Sequence, residues 1–335
     1  MNFAQNRLRW LIAVVTALLF GIFLIGCSSE PAEEGTTDAR EHEAEAEMLV
    51  LPELEAAELD GEPLKVVATT NIMGDVVAQV GGEAIELTTL LGPGQDPHSY
   101  VPAARDLTAV SGADVIFVNG WDLEEGLAND VQNIAVEIPI VPISANIEPL
   151  PFGEKDSADP HVWFDVQNVE QWVENAAQVL GELDPANATV YEENGAAYRE
   201  ELGALDSYAK EQLAEIPEAQ RFLVTNHDAF GYLAEAYGLT TLGTVIPGAS
   251  TLAEPSASDL TGLIAKMEEH GLCTIFTETA VSDTLAQTVA GELSNCEEVK
   301  VLALYSGSIG TADSGANSYL TMFRTNVDTI VAGLE

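Results

Sequence analysis

Seven short apolar runs recur between residues 65 and 305, and the text between them has helical spacing. KVVATTN (65–71), ADVIFVNG (113–120) and IPIVPIS (138–144) precede residue 184. RFLVTNH (221–227), TTLGTVIP (240–247), CTIFTET (273–279) and VKVLALY (299–305) follow residue 216. These runs read as buried strands, with amphipathic stretches such as IMGDVVAQVGG and TLAQTVAGELS between them. Alternation of this kind predicts parallel sheets covered by helices, an α/β fold. No period of 20–50 residues repeats, which excludes a solenoid.

One segment interrupts the alternation. Asp184-Pro185 opens a run to about Ile216 broken only by Gly195 and Gly203. Asp as N-cap and Pro at the first helical position mark a helix start. Val190, Asn194, Ala197, Tyr198, Leu202, Leu205, Ala209 and Leu213 fall at helical spacing. A helix of about 30 residues spans roughly 45 Å, more than one sheet layer needs. The expected architecture is an N-terminal α/β lobe over 65–184, a long linking helix over 185–216 and a C-terminal α/β lobe over 217–335.

The first 26 residues stand apart. MNFAQNRLRW carries Arg7 and Arg9 and no acid, and LIAVVTALLFGIFLIG then runs without a charge to Cys27. That is the pattern of a secretory signal, and it is short of the roughly 20 residues a membrane span requires. An uncleaved anchoring helix is the alternative. LIGC followed by two serines resembles a bacterial lipobox. The resemblance implies cleavage before Cys27, acylation of its thiol and a lipid-anchored chain on the extracytoplasmic face of the cell membrane. Residues 27–64 begin with the acidic SSEPAEEGTTDAREHEAEAE, which reads as a disordered tether, with His42 a solvated member of it. MLVLPELEAAEL, at its end, either forms a short helix or packs on the body.

Charge narrows the partners. The chain has 55 Asp and Glu against 12 Lys and Arg, a net charge of −43. With no basic patch, nucleic acid and anionic membrane are excluded as partners. Solubility accounts for the acidity; attraction of cations is the functional alternative, screened within roughly 8–10 Å. Beyond Cys27 only Cys273 and Cys296 remain. An even pair in an exported chain is expected to form a disulfide, with two buried thiols as the alternative.

The body holds four histidines, and two of them follow Asp-Pro: GQDPHSY around His98 and ADPHVWFD around His161. Proline fixes φ and pushes the preceding Asp towards extended backbone, so each tripeptide presents its imidazole from a stiff turn. His227 ends the strand text RFLVTNH. Ligands of open α/β sheets collect beyond the carboxyl ends of strands, so three imidazoles in such loops can converge. An ordinary surface or core histidine is the competing reading for each. His270, in MEEHGL, reads as a helix C-terminal residue meeting the dipole.

These stretches resemble the cluster A-I solute-binding lipoproteins of zinc and manganese ABC transporters. VVATTNIMGDVVAQVGG, GQDPHSYVPAARDL, DPHVWFDVQNV, TNHDAFGYLAEAYGL, EPSASDL, IFTETAVSDTLAQTVAGEL and SYLTMFRTNVDTIVAGL occur in the family order. The resemblance implies two lobes joined by a rigid helix with the metal between them, a permease partner and a monomeric, non-enzymatic carrier. It implies His98, His161 and His227 as metal ligands. In the family a histidine at the third position goes with zinc and a carboxylate with manganese, and imidazole suits Zn²⁺ on chemical grounds as well. The sequence departs from the pattern at the fourth ligand, where LYSGSIG puts Gly307 in place of the usual aspartate. Water, Glu278 or Asp313 is left for that position. Glu278 otherwise reads as a carboxylate accepting a proton from a ligand imidazole. The family's His-rich loop is missing from NIEPLPFGEKDSADPH.

The function implied is extracytoplasmic capture of Zn²⁺ and its delivery to a permease, with Mn²⁺ or iron as the alternative cargo. A three-His site with an open position also suits a surface zinc hydrolase, with Glu278 as base, but no HExxH pairing is present. A surface adhesin with an incidental metal is the third reading.

Overall fold

The computed structural model describes residues 47–152 and 157–335. The expected signal segment, the expected lipidation residue Cys27 and the acidic stretch with His42 lie outside the described residues. No helix among the described residues is long and apolar enough to cross a membrane.

The first sheet is built from β1 (Leu64–Ala68), β2 (Ile85–Thr89), β3 (Val115–Val118) and β4 (Ile140–Pro142), in the order β2-β1-β3-β4 and parallel throughout. Its helices are α1 (Asn71–Gly81), α2 (Ala104–Ser111) and α3 (Ala128–Ile134). The second sheet repeats the plan with β5 (Phe222–Thr225), β6 (Thr240–Thr244), β7 (Thr274–Glu278) and β8 (Lys300–Leu304), ordered β6-β5-β7-β8 and again parallel. Helices α6 (Gly231–Tyr237), α7 (Ala257–His270), α8 (Thr284–Glu292) and α9 (Tyr319–Leu334) accompany it. Parallel strands need crossovers, and helices between the strands supply them.

Seven of these strands coincide with the apolar runs. β2 does not: IELTT alternates, with only Ile85 buried, because it is an edge strand. The long helix is α5 (Ala188–Ala214), 27 residues, or about 40 Å. Its buried stripe is Tyr191, Gly195, Tyr198, Leu202, Leu205, Ala209 and Leu213. The expected stripe is therefore displaced by one residue at its start, where Val190 is exposed and Gly195 lies against Val173.

Asp184 is not the N-cap of this helix. It is the C-cap of α4 (Val166–Leu183), and its carboxylate accepts from Asn187 Nδ2 (2.6 Å) and the Tyr191 hydroxyl (2.9 Å). Asn187 takes the N-cap position of α5. The Asp-Pro pair thus turns the chain between two antiparallel neighbours, α4 and α5.

α5 is tied to helices that accompany both sheets. Asn194 Nδ2 donates to Val80 O of α1 (3.0 Å), and the Tyr237 hydroxyl of α6 donates to Asp206 (3.1 Å). Tyr208 donates to Asp328 of α9. One apolar core runs along this spine and includes Trp163, Trp172, Tyr191, Leu202, Phe276 and Phe323. Burial of each such side chain contributes about 1.5–3 kcal/mol. Smaller cores cover the outer face of each sheet.

Of the two alternatives for MLVLPELEAAEL, the structure shows packing on the body, by a few apolar residues of a largely exposed segment. Residues 47–63 form no helix; Leu51, Leu54, Ala57 and Leu59 lie on the core, and Ala57 N–H donates to Leu183 O (2.8 Å). Cys273 and Cys296 are joined in a disulfide with Cα atoms 5.7 Å apart. His270 is the last residue of α7 and packs tilted against the Phe222 ring, before Gly271 in left-handed conformation.

Candidate metal centre

The two Asp-Pro-His tripeptides fold alike. Asp96 Oδ1 accepts the backbone N–H of His98 (3.1 Å), and Asp159 Oδ1 accepts that of His161 (3.0 Å). Proline has no N–H, so the histidine amide is the donor nearest the aspartate, and the side chain closes a turn two residues on. One turn follows β2 and the other follows β4. His227 follows β5 directly, and Glu278 is the last residue of β7. All four groups therefore stand at or beyond the carboxyl ends of strands.

The structure brings His98, His161 and His227 together, one nitrogen of each within 4.8 Å of the others. His161 is central: its Nε2 is 3.2 Å from Nε2 of His98 and 3.2 Å from Nε2 of His227. No other cluster of three His, Cys, Asp or Glu of this kind occurs among the described residues. All three rings are buried.

Two of the rings are oriented by carboxylates. His161 Nδ1 is 2.8 Å from Asp159 Oδ1, and His227 Nδ1 is 2.5 Å from Glu278 Oε1. An ionised carboxylate only accepts, so each pair fixes the ring proton on Nδ1 and turns the Nε2 lone pair inward. Glu278 also accepts the His227 N–H (2.9 Å) with Oε1 and the Ser306 hydroxyl with Oε2. Both of its oxygens are thereby engaged.

Electrostatics separate the three rings. Burial, then the neighbouring His161 and His227, pushes His98 down to about 4. Burial, then His227, holds His161 well below the usual imidazole value. Burial alone would lower His227, but the Glu278 carboxylate outweighs it and the imidazole is raised. Burial pushes Asp159 up to about 7. The cluster thus takes at most one proton readily, at His227. Three convergent lone pairs repel one another and are offset by a cation placed between them.

Around a tetrahedral Zn²⁺, nitrogens at about 2.0–2.1 Å stand roughly 3.3 Å apart, close to the two Nε2 separations of 3.2 Å. The cavity they enclose is about 10 Å³, with Asp96, Pro97, Glu278, Ser306 and Gly307 in its wall. A larger groove of about 550 Å³ between α4 and α5 is lined by small residues and surface charges, with no His or Cys. Asp313 is exposed and outside the cluster. Gly307 lies against Pro97.

Sequence reasoning missed Asp159 as a partner of the His161 ring and Ser306 as a partner of Glu278. Asp159 was legible: an acid two residues before a histidine closes a turn onto the amide and stays within reach of the ring. Ser306 carried no local signal, because its partner is 28 residues away in sequence.

Comparisons with known proteins place the chain among metal-binding proteins of one family. The family model ZnuA, zinc-uptake complex component A periplasmic, matches residues 66–333. The manganese-binding lipoprotein MntA of Halalkalibacterium halodurans is 38% identical over 277 residues, covering 82% of this chain and 90% of that protein. The zinc-binding protein TroA of Treponema pallidum is 33% identical over 285 residues, covering 83% and 91%. The solved structure of TroA superposes with a TM-score of 0.76 at 31% identity, over 82% of this chain and 99% of that one. A manganese-bound periplasmic metal binding protein from Candidatus Liberibacter asiaticus gives a TM-score of 0.73 at 29% identity, over 81% and 99%.

Proposed function

Since the chain belongs to the ZnuA family of periplasmic zinc-uptake components, we propose that it captures Zn²⁺ outside the cytoplasm and delivers it to the permease of an ABC transporter. The observation that carries this reading is the convergence of three imidazole Nε2 atoms on one point, two of them turned inward by carboxylates. His98, His161 and His227 are the ligands in this reading, Asp159 and Glu278 orient two of them, and water completes the coordination. The lobes run over 65–184 and 217–335, with 185–216 linking them. Cys27 carries the lipid anchor, in keeping with relatives that are named lipoproteins, and the chain acts as a monomer.

The relatives divide between metals: MntA is named for manganese and TroA for zinc. The donor set favours zinc here. Imidazole nitrogens suit Zn²⁺, while Mn²⁺ prefers oxygen donors in octahedral array. Manganese is the alternative cargo.

Capture and release need no reaction. Glu278, the one candidate for a general base, is occupied by His227 and Ser306. Calorimetric titration of the metal-stripped protein with zinc, then with manganese in competition, tests the reading. One zinc per chain, not displaced by equimolar manganese, is expected. Preferential manganese binding would overturn the cargo, and no binding of either would overturn the function.

A further inference from the structure

We propose that Glu125 is the third orienting carboxylate of this centre, a positioning residue that holds His98 from the solvent side. The inference rests on the metal-capture reading above. His161 and His227 each have a buried acid on Nδ1, at 2.8 and 2.5 Å. His98 does not: its Nδ1 is buried without a hydrogen-bond partner. The acid facing it is Glu125, with Oε1 at 3.5 Å and the side chain 40% exposed.

The geometry explains why this acid is the loose one. His98 turns Nε2 towards His161, so Nδ1 lies on the opposite edge of the ring. That edge faces a cleft of about 420 Å³ lined by His98, Trp121, Asp122, Glu125 and Pro160. Glu125 stands on the turn after β3, where Trp121 and Asp122 both have positive φ, 49° and 57°. The turn divides two consecutive glutamates. Glu124 points inward, its Oε1 accepting from the Thr69 hydroxyl (2.5 Å) and Asn119 N–H (2.7 Å). Glu125 points outward to the cleft.

An imidazole that binds metal through Nε2 keeps its proton on Nδ1, and that proton needs an acceptor. At 3.5 Å the pair is just outside good hydrogen-bond distance, and a movement of under about 1 Å by an exposed side chain closes it. His98 is then the ligand most readily released, and Glu125 sets how firmly it is held.

The test measures zinc affinity and dissociation rate, by capture with a competing chelator, on the whole chain stripped of metal. Wild type, Glu125→Gln, His98→Ala, the double variant and Asp122→Asn are compared at 0.15 M salt. Glu125→Gln is expected to weaken zinc binding about tenfold, at the low end for an orienting partner, mainly through faster dissociation. It should add nothing in the His98→Ala background, and its metal-free thermal midpoint should match wild type. Asp122→Asn removes the same charge from the same cleft and should cost less than about twofold, since exposed charge is screened. An unchanged affinity in Glu125→Gln, or an equal loss with and without His98, would overturn the proposal and leave the capture reading standing. Failure of wild type to bind zinc would overturn both.

Discussion

Pro97 lies against Gly307, so closely that a Cβ on Gly307 would stand 2.5 Å from the proline Cδ. Pro97 is the middle residue of the turn that presents His98, and Gly307 follows β8 of the other sheet. The same turn is tied across by Thr251, whose hydroxyl donates to Asp96 (2.6 Å), and by Gly94 N–H, which donates to Ser308 Oγ (2.9 Å). A side chain at 307 would occupy the seat of Pro97. Gly307 is thus the residue that leaves room for the turn that carries His98.

Gly307→Ala should therefore weaken zinc binding by about tenfold or more, because a rigid ring in a packed contact cannot yield without moving the turn. Gly307 does not have positive φ, so the backbone itself tolerates alanine. Chelator competition measures the loss; an unchanged affinity would mean that the turn shifts without disturbing His98.

Asp159→Asn keeps an oxygen for the turn and removes the charge that polarises His161. A loss of about 10–100-fold in zinc affinity is expected, with little change in the thermal midpoint of the metal-free protein. Competition titration and a melting curve check the two halves. Asp159→Ala should lose both affinity and stability.

Zinc binding should release protons. His227 is raised above the usual imidazole value, so a proton competes with the ion there as pH falls through that pKa. Asp159, raised to about 7, must ionise to accept the His161 Nδ1 proton. His98, at about 4, and His161, well below its ordinary value, stay neutral. The expectation is about two protons released per zinc between roughly pH 5 and 6.5, one from His227 and one from Asp159, and fewer as pH rises. Calorimetry in buffers of different ionisation enthalpy counts them. Three protons would mean that a second ring is charged in the free site as well.

The disulfide closes a loop of sequence separation 23, and its removal should cost about 3 kcal/mol. Cys273 precedes β7, while Glu278 ends it, so the bond and the site stand at opposite ends of one strand. Cys273→Ser with Cys296→Ser should lower the denaturation midpoint and leave zinc stoichiometry at one.

What the sequence made legible follows from how local each signal is. Buried strands announce themselves by continuous apolar text, His98 and His161 by their shared Asp-Pro-His tripeptide, and His227 by its place at the end of RFLVTNH. β2 escaped because an edge strand exposes alternate residues, so IELTT carries no such run. Asp184-Pro185 was read as a helix start, yet the aspartate caps the preceding helix: the same residue types close one helix and open the next. The carboxylate partners of the rings depend on contacts across the fold. Only Asp159, two residues from its histidine, left a local trace.

The most direct test of the central claim is the anomalous diffraction signal at the zinc edge from crystals of the zinc-loaded protein. The account predicts one peak per chain, about 2.0–2.1 Å from Nε2 of His98, His161 and His227 together. A peak on surface carboxylates, or one that leaves any of these three nitrogens uncoordinated, would contradict it.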